Sequence, residues 1–221
     1  MTARLVGTPL YADEGSNVIH LGGSYIHRFW DGNSEAGNPR FRERPRSQLA
    51  QRFVDTGTVG LNHGDILNLE AAGVFGPLAL QTEYTNTWGS GAGTQRDVHL
   101  WGAYFQASYF LTGEHRVYDH GVGRFRRVKP ANSFNPAKGG WGAWEIAARF
   151  SYLDLNDRDV TGGELWDITA ALNWYLYPNL RWMLNYVHAN VSDRVADLGD
   201  DGFQGISGAA DIVQMRFALD F

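Results

Sequence analysis

The residues with the clearest chemical potential are arginines in a run between two prolines. Arginine supplies 17 of the 19 basic residues, and its planar guanidinium group matches phosphate or carboxylate oxygens in a bidentate way. Pro39 and Pro45 favour extended backbone in the residues before them. Extended backbone puts alternate side chains on one face, about 6.6 Å apart, which predicts a ladder of positive charge formed by Arg40, Arg42, Arg44 and Arg46. A solvated basic loop is the alternative interpretation, but the strict period of two favours anion binding.

A second basic cluster lies between residues 113 and 141. It contains Arg116 and the stretch Gly123–Pro130, in which the candidate anion-binding side chains are Arg124, Arg126, Arg127 and Lys129. A basic turn that faces anionic head groups or peptidoglycan is the alternative. Further arginines, Arg149, Arg181 and Arg216, could extend a path of positive charge. For these three we favour structural pairing with Glu145, Asp167 or Asp220.

The sequence offers little support for catalytic, metal or nucleotide chemistry. It has no cysteine, no G-x-S-x-G motif and only scattered histidines. The Gly121-Val122-Gly123 stretch lacks the third glycine of a nucleotide loop. A net charge of -5 gives no indication of nucleic-acid binding. We therefore expect no catalytic residue, no metal ligand, no cofactor and no nucleic-acid partner.

The elements that carry these arginines are predicted by apolar and polar residues that alternate with period two. In 166–177, for example, Ile168, Ala170 and Leu172 alternate with Asp167 and Thr169. Such segments of about ten residues are long enough for a tilted strand to cross a bilayer. They predict nine strands, at 3–11, 17–29, 65–75, 78–88, 97–112, 142–154, 164–177, 180–191 and 210–221.

Three features favour a membrane barrel over a soluble sandwich. Aromatic residues lie on the apolar side of the strands, often near their ends, as in the girdles of outer-membrane barrels. Tight connections at Gly76-Pro77 and Pro178-Asn179 contrast with long ones at 30–64 and 192–209. The chain also ends on Phe221, an aromatic residue that closes an alternating strand. No apolar run reaches the roughly 18 residues of a spanning helix.

The strand count predicts how the connections are distributed. Barrels of this class have an even number of strands, and both chain ends are periplasmic. Nine strands and no recognisable leader therefore suggest the C-terminal part of a longer barrel. Counting back from the C-terminus predicts that the long loop 30–64 is extracellular and that the long turn 113–141 is periplasmic. A periplasmic turn of this length is unusual, and one explanation is that it folds toward the lumen.

The sequence resembles the phosphate-selective porin O and P family. The resemblance lies in Gly102-AYFQASYFLTGE-His115, Gly123-RFRRVKPANSFNP-Ala137, Gly139-GWGAWEIAARFSYLDLND-Arg158, Leu172-NWYLYPNLRWMLNYVH-Ala189 and Gln214-MRFALDF. It implies an all-β, transmembrane antiparallel β-barrel, with this chain as the last nine strands of a sixteen-stranded trimeric porin. It also implies that 30–64 is a long inserted extracellular loop and that 113–141 folds into the lumen. By the same resemblance, Arg42, Arg44 and Arg46 belong to an arginine ladder, and Arg124, Arg126 and Lys129 belong to the inserted turn.

The expected function is passive diffusion of phosphate, polyphosphate or related anions through the bacterial outer membrane. The expected partners are these anions, outer-membrane lipid and two further copies of the chain. A general or adhesin-like barrel and an outer-membrane lipid hydrolase are the alternatives. A hydrolase needs a serine-histidine pair, and an adhesin has no need for an arginine ladder.

Overall fold

The structure, a computed structural model, describes residues 1–32, 37–194 and 207–220. In these ranges the chain is all-β. The strands are β1 (Thr2–Ala12), β2 (Asn17–Phe29), β3 (Arg40–Glu43), β4 (Val54–Thr58), β5 (Leu61–Phe75), β6 (Leu78–Gly91), β7 (Val98–Phe110), β8 (Tyr118–Asp119), β9 (Arg124–Phe125), β10 (Ala143–Asp157), β11 (Val160–Tyr177), β12 (Leu180–Arg194) and β13 (Gly208–Leu219). Short 3-10 turns lie at Asp13–Gly15 and Pro136–Lys138. None of the described residues forms a helix long and apolar enough to cross a membrane.

Nine of these strands form one antiparallel sheet in the order β1-β2-β5-β6-β7-β10-β11-β12-β13. Each corresponds to one of the nine predicted segments, which confirms the all-β antiparallel prediction within the described ranges. Gly76-Pro77 and Pro178-Asn179 connect their strands directly, as predicted. Barrel closure and a total of sixteen strands stay predictions.

The connection between β10 and β11 is shorter than the predicted strands 142–154 and 164–177 imply. In the structure β10 continues to Asp157 and β11 begins at Val160, with a register shift between Asp154 and Asn156. Backbone pairing to the neighbouring strand therefore outweighs the low strand propensity of these polar residues. Residue 221 and most of the 192–209 connection lie outside the described residues.

The two faces of the sheet differ in an unusual way, because the apolar face is the exposed one. Ile146 and Ile168 are 45% and 50% exposed. Their neighbours of opposite parity, Glu145 and Asp167, are 0% and 2% exposed. A soluble sandwich buries its apolar face and exposes its polar one. We name the side that carries Ile146 and Ile168 the apolar face, and the side that carries Glu145 and Asp167 the covered face.

Two long connections cover the polar side of the sheet. The first inserted segment, 30–60, joins β2 to β5 and contains the small sheet β3-β4. Its residues Phe53 and Val54 pack against Leu165 and Val187 in one hydrophobic cluster. The second inserted segment, 111–142, joins β7 to β10 and contains the β8-β9 pair. It begins at the opposite end of the sheet, because the antiparallel strands between the two segments alternate in direction.

The second inserted segment also packs on the covered face. Its Tyr118 and Phe125 join Val18 and Val74 of the sheet in a second cluster, and its Val128 packs with Phe110 and Tyr175 in another. Both segments therefore pack on the polar side of the sheet, one from each end of the strands.

Spin labels can test this assignment of faces, because the native sequence contains no cysteine. In lipid vesicles, a nitroxide at Ile168→Cys should be relaxed by oxygen, and a nitroxide at Thr169→Cys by a water-soluble nickel complex. The reason is that adjacent strand residues point to opposite faces. Electron paramagnetic resonance power saturation measures both effects. Equal accessibility of the two labels would contradict the assignment.

Candidate functional site

The candidate site is the space on the covered face where the two inserted segments meet the strands. In the first inserted segment, Arg40 and Asp55 form a bidentate ion pair across the β3-β4 sheet. Arg40 Nε donates to Asp55 Oδ1 at 2.7 Å, and Arg40 Nη2 donates to Asp55 Oδ2 at 2.6 Å. Asp55 is only 3% exposed and also accepts the backbone N–H of Gly57. The pair therefore holds β3 and β4 of the first inserted segment together.

The predicted arginine ladder is extended only in its first part. Strand β3 ends at Glu43, and the backbone of Arg46 turns into the left-handed region with φ 51°. Arg44 Nη1 donates to the carbonyl oxygen of Ala50, which closes this turn. The expectation of one straight face for all four arginines was therefore wrong. Pro45 ends the extended run here instead of prolonging it, since proline has no N–H to continue the pairing.

Arg46 leaves the ladder and reaches the wall of strands. Its Nη2 donates to Ser151 Oγ at 2.8 Å, and its Nε lies 3.2 Å from Asp167 Oδ2. The side-chain amide of Gln214 donates to the carbonyl oxygen of Arg46 at 3.0 Å. Arg46 thus joins the first inserted segment to three strands, β10, β11 and β13. Arg42 is exposed, and among the described residues it has no hydrogen-bond or ion-pair partner.

The basic residues of the second inserted segment divide in the same way into paired and unpaired groups. Arg116 pairs with Glu145 at 2.8 Å, Arg126 with Asp119 at 2.6 Å, and Arg127 with Asp220 at 3.1 Å. Arg124 and Lys129 are exposed, and no residue in the described ranges pairs with either of them. The predicted cluster therefore contains arginines that are paired with carboxylates and, beside them, cations that have no such partner in the described ranges.

A buried network holds the second inserted segment to the other edge of the sheet. The hydroxyl of Tyr118 lies 2.6 Å from His20 Nδ1, and His20 Nε2 lies 3.3 Å from Glu70 Oε1. Arg4 pairs with the same oxygen of Glu70 at 2.6 Å and reaches the carbonyl oxygen of Gly123. His20 therefore helps to hold the second inserted segment on the sheet. Its isolated position in the sequence did not indicate this role.

The pairing expected for the wall arginines was wrong. Arg149 was expected to pair with a wall carboxylate. Instead its guanidinium carbon lies 3.5 Å from the centre of the Tyr104 ring, and its buried Nε has no hydrogen-bond partner. Arg181 lies over Tyr175 at 5.7 Å. The carboxylates proposed for these arginines are paired with Arg46, Arg116 and Arg127 of the inserted segments. Ion pairs with the inserted segments thus take the place of the pairs expected between residues of the wall.

Sequence reasoning missed several residues that shape the site. A cavity of about 240 Å³ between the first inserted segment and the wall is lined by Arg46, Glu83, Tyr104 and Asp167, among others. Tyr104 donates to Glu83 Oε1 at 2.5 Å and accepts from Gln81. Arg194 is 2% exposed and donates to the carbonyl oxygen of Phe53 at 3.3 Å. Within 1–32, 37–194 and 207–220, no group of three or more His, Asp or Glu side chains could hold a metal ion.

Comparison with known proteins gives consistent matches. The family model described as phosphate-selective porin O and P matches residues 1–221. An uncharacterized protein of Caulobacter vibrioides is 35% identical over 185 residues, which cover 82% of this chain and 36% of that protein. Porin O of Pseudomonas aeruginosa is 27% identical over 224 aligned positions, covering 87% of this chain and 48% of its own length. The chain thus spans about a third to a half of the curated relatives that it matches.

Replacing Arg116 with alanine should lower the free energy of unfolding by about 3 kcal/mol, because it leaves the buried Glu145 carboxylate without a counter-ion. Urea unfolding in lipid vesicles measures this loss. Arg124→Ala in the same segment is the matched control and should change stability by less than about 0.5 kcal/mol. If both variants lose the same stability, the Arg116–Glu145 pair does not dock the segment.

Proposed function

The chain belongs to the phosphate-selective porin O and P family, and on this premise we propose that it forms part of an outer-membrane pore for phosphate-like anions. In this proposal the covered face lines the aqueous passage and the apolar face contacts lipid. The first inserted segment enters from the extracellular end, and the second enters from the periplasmic end. The remaining strands of a sixteen-stranded barrel and two further subunits would complete the trimer.

The observation that carries the proposal is a surplus of cations on the covered face. Six arginines there or in the inserted segments pair with carboxylates, namely Arg4, Arg40, Arg46, Arg116, Arg126 and Arg127. Six further cations have no ion-pair partner in the described part of the chain, namely Arg42, Arg124, Lys129, Arg149, Arg181 and Arg216. Carboxylates such as Glu43 and Glu83 also lack a cation there and accept only neutral donors. A surface with this imbalance attracts anions, although the net charge of the chain is -5.

Arg149 is the wall residue best suited to contact a passing anion. Its guanidinium plane is held over Tyr104, whose ring is itself fixed by hydrogen bonds to Glu83 and Gln81. Stacking orients the guanidinium group without using its N–H donors. Arg46 and the Tyr104 ring line the same cavity. A phosphate in that cavity could accept from Arg46 and from the Arg149 guanidinium group that stacks on Tyr104.

Such an arrangement supports diffusion through a series of shallow sites. Phosphate loses part of its water in a narrow passage, and fixed N–H donors replace that water. Selectivity requires binding strong enough to favour entry and weak enough to allow exit. Cations distributed over two segments and the wall meet both demands better than one deep site. Added salt should weaken the attraction, since screening acts over about 8 Å at physiological ionic strength.

The alternatives differ in what they require of the covered face. A general or adhesin-like barrel has no use for unpaired cations. A lipid hydrolase needs a serine beside a histidine, and in the described part of the chain the hydrogen-bonded histidine rings contact Tyr, Asn or carboxylate groups and no serine. The cation surplus therefore favours the anion pore over both.

We expect Arg42→Gln and Arg124→Gln together to reduce anion selectivity of the intact protein in planar bilayers. The zero-current potential in a chloride gradient should move toward zero, and phosphate should block chloride current about threefold to tenfold less tightly. Arg96→Gln, an exposed arginine in the turn between β6 and β7, is the control and should leave both readings unchanged. Cation selectivity of the unmodified protein would overturn the proposal.

Arg149 allows a sharper test of the guanidinium chemistry. Arg149→Lys keeps the charge but loses the planar group that stacks on Tyr104, so phosphate block should weaken while chloride selectivity persists. Tyr104→Phe keeps the ring under Arg149 but removes the hydroxyl that Glu83 and Gln81 hold, so it should weaken phosphate block less than Arg149→Lys does. Planar-bilayer recordings at two salt concentrations separate the two effects. Indistinguishable phosphate block by the arginine and lysine proteins would exclude a role for the planar group.

A further inference from the structure

The last part of the second inserted segment leaves the covered face and crosses to the other side of the sheet. Val128 is still buried in a hydrophobic cluster on the covered face. Further along the chain, the ring of Phe134 lies against Trp174 with 5.1 Å between ring centres. Trp174 shares its parity in β11 with the exposed Ile168, so it belongs to the apolar face. We name residues 131–142, which follow this crossing, the strap.

Hydrogen bonds hold the strap at the end of the sheet where β10 begins and β11 ends. The hydroxyl of Tyr177 donates to the carbonyl oxygen of Phe134 at 2.8 Å. The indole N–H groups of Trp144 and Trp174 both donate to the carbonyl oxygen of Trp141, at 3.2 Å and 2.8 Å. These bonds use backbone carbonyl groups of the strap. The side chain of Trp141 is therefore not needed to keep the strap in place.

The side chain of Trp141 is available to a partner outside the chain. It is 62% exposed, and its indole N–H has no hydrogen-bond partner in the described part of the chain. Tryptophan combines a large apolar ring with an N–H group that prefers to stay hydrated. Its favoured location is therefore the boundary between hydrocarbon and water.

The strap lies beside an aromatic row on the apolar face. Trp144, Trp174, Trp182 and Phe217 lie directly opposite one another in the neighbouring strands β10, β11, β12 and β13. The rings of Trp144 and Trp174 are stacked, with 4.9 Å between their centres. Such a row is typical of the aromatic girdle at the edge of a bilayer. Because the strap ends where β10 begins, Trp141 extends this row toward the end of the strands.

The charge of the strap is compatible with a surface of phospholipid head groups. Residues 131–142 contain Lys138 and no acidic residue. Lys138 is exposed and has no ion-pair partner in residues 1–32, 37–194 and 207–220. Glu114 accepts the backbone N–H of Ala131, at the opposite end of the strap from Trp141. The strap therefore carries no surplus of negative charge that anionic head groups would repel.

We propose that the strap is an anchor that binds the phospholipid head groups of the periplasmic leaflet. The ring of Trp141 would lie between head groups and acyl chains, and the Lys138 ammonium group would reach the lipid phosphates. The proposal rests on the lipid-facing assignment of the apolar face in the proposed function. It goes beyond that function, because the strap lies outside the anion passage. The second inserted segment would thus be held on both sides of the wall.

Fluorescence quenching in vesicles of phosphatidylcholine and phosphatidylglycerol can test this anchor in the intact protein. A nitrobenzoxadiazole label at Ala137→Cys, an exposed strap position, should be quenched by a nitroxide on the lipid head group. The same label at Val122→Cys is the matched control. Val122 is 54% exposed in the same segment, but it lies in the turn of the β8-β9 pair, which packs on the covered face. Head-group quenching should be about threefold stronger at Ala137 than at Val122.

Trp141→Gln should reduce head-group quenching of the Ala137 label by about half or more, because the exposed ring supplies most of the apolar contact with lipid. Trp141→Phe keeps an apolar ring and should retain most of the quenching. Equal quenching of the Ala137 and Val122 labels would overturn the proposal, as would quenching at Ala137 that Trp141→Gln leaves unchanged.

A label at Ile168→Cys separates failure of the anchor from failure of the proposed function. Nitroxides on the lipid acyl chains should quench this label, because Ile168 lies on the apolar face. If the Ile168 label is quenched and the Ala137 label is not, the anchor is wrong and the lipid-facing assignment stands. If neither label is quenched by lipid, both are wrong. Trp141→Gln should leave the zero-current potential in a chloride gradient unchanged.

Discussion

The structure depends on one electrostatic constraint, which is that the buried carboxylates of the covered face must meet cations. A carboxylate removed from water is costly unless it is paired and hydrogen-bonded. Glu145 and Asp167 are 0% and 2% exposed, and the nearest cations are Arg116 and Arg46 of the two inserted segments. The strands therefore provide acidic positions to which the segments are attached. Each segment is fixed on the sheet by the same kind of contact, although the two approach from opposite ends.

This attachment explains why a sheet with an exposed apolar face can still have an ordered interior. In a soluble sandwich the apolar face forms the core. Here only small clusters such as Phe53 with Leu165 and Val187 pack between segment and wall. Ion pairs and hydrogen bonds provide much of the remaining specificity. The alternation along each strand thus separates an exposed apolar face from a covered face with buried carboxylates, and in the proposed pore these would face lipid and water.

The strands were predictable because apolar and polar residues alternate along each of them. This pattern can be recognised in the sequence without knowing which strands are neighbours in the sheet. All nine segments correspond to strands of the sheet. The site was predictable only in part. The concentration of arginine in two connections was visible in the sequence, but the partner of each arginine was not. Asp55 and Glu145 are distant in sequence from Arg40 and Arg116, and nothing local marks them as partners. The straight ladder was wrong for a related reason, since Arg46 gains a buried carboxylate by leaving the extended run.

The division of arginines into paired and unpaired groups connects the folding of the chain with the anion passage proposed for it. An arginine that docks a segment, such as Arg46, has part of its donor capacity occupied by protein oxygens. An arginine without such a partner keeps its donors for solutes, at the cost of repulsion from neighbouring cations. Paired residues therefore make the framework rigid, and the rigid framework allows unpaired cations to remain close together. For Arg149, the ring of Tyr104 supplies this support without a counter-ion. In the proposed pore, anion selectivity would thus depend on which guanidinium groups the fold leaves unneutralised, more than on how many arginines the sequence contains.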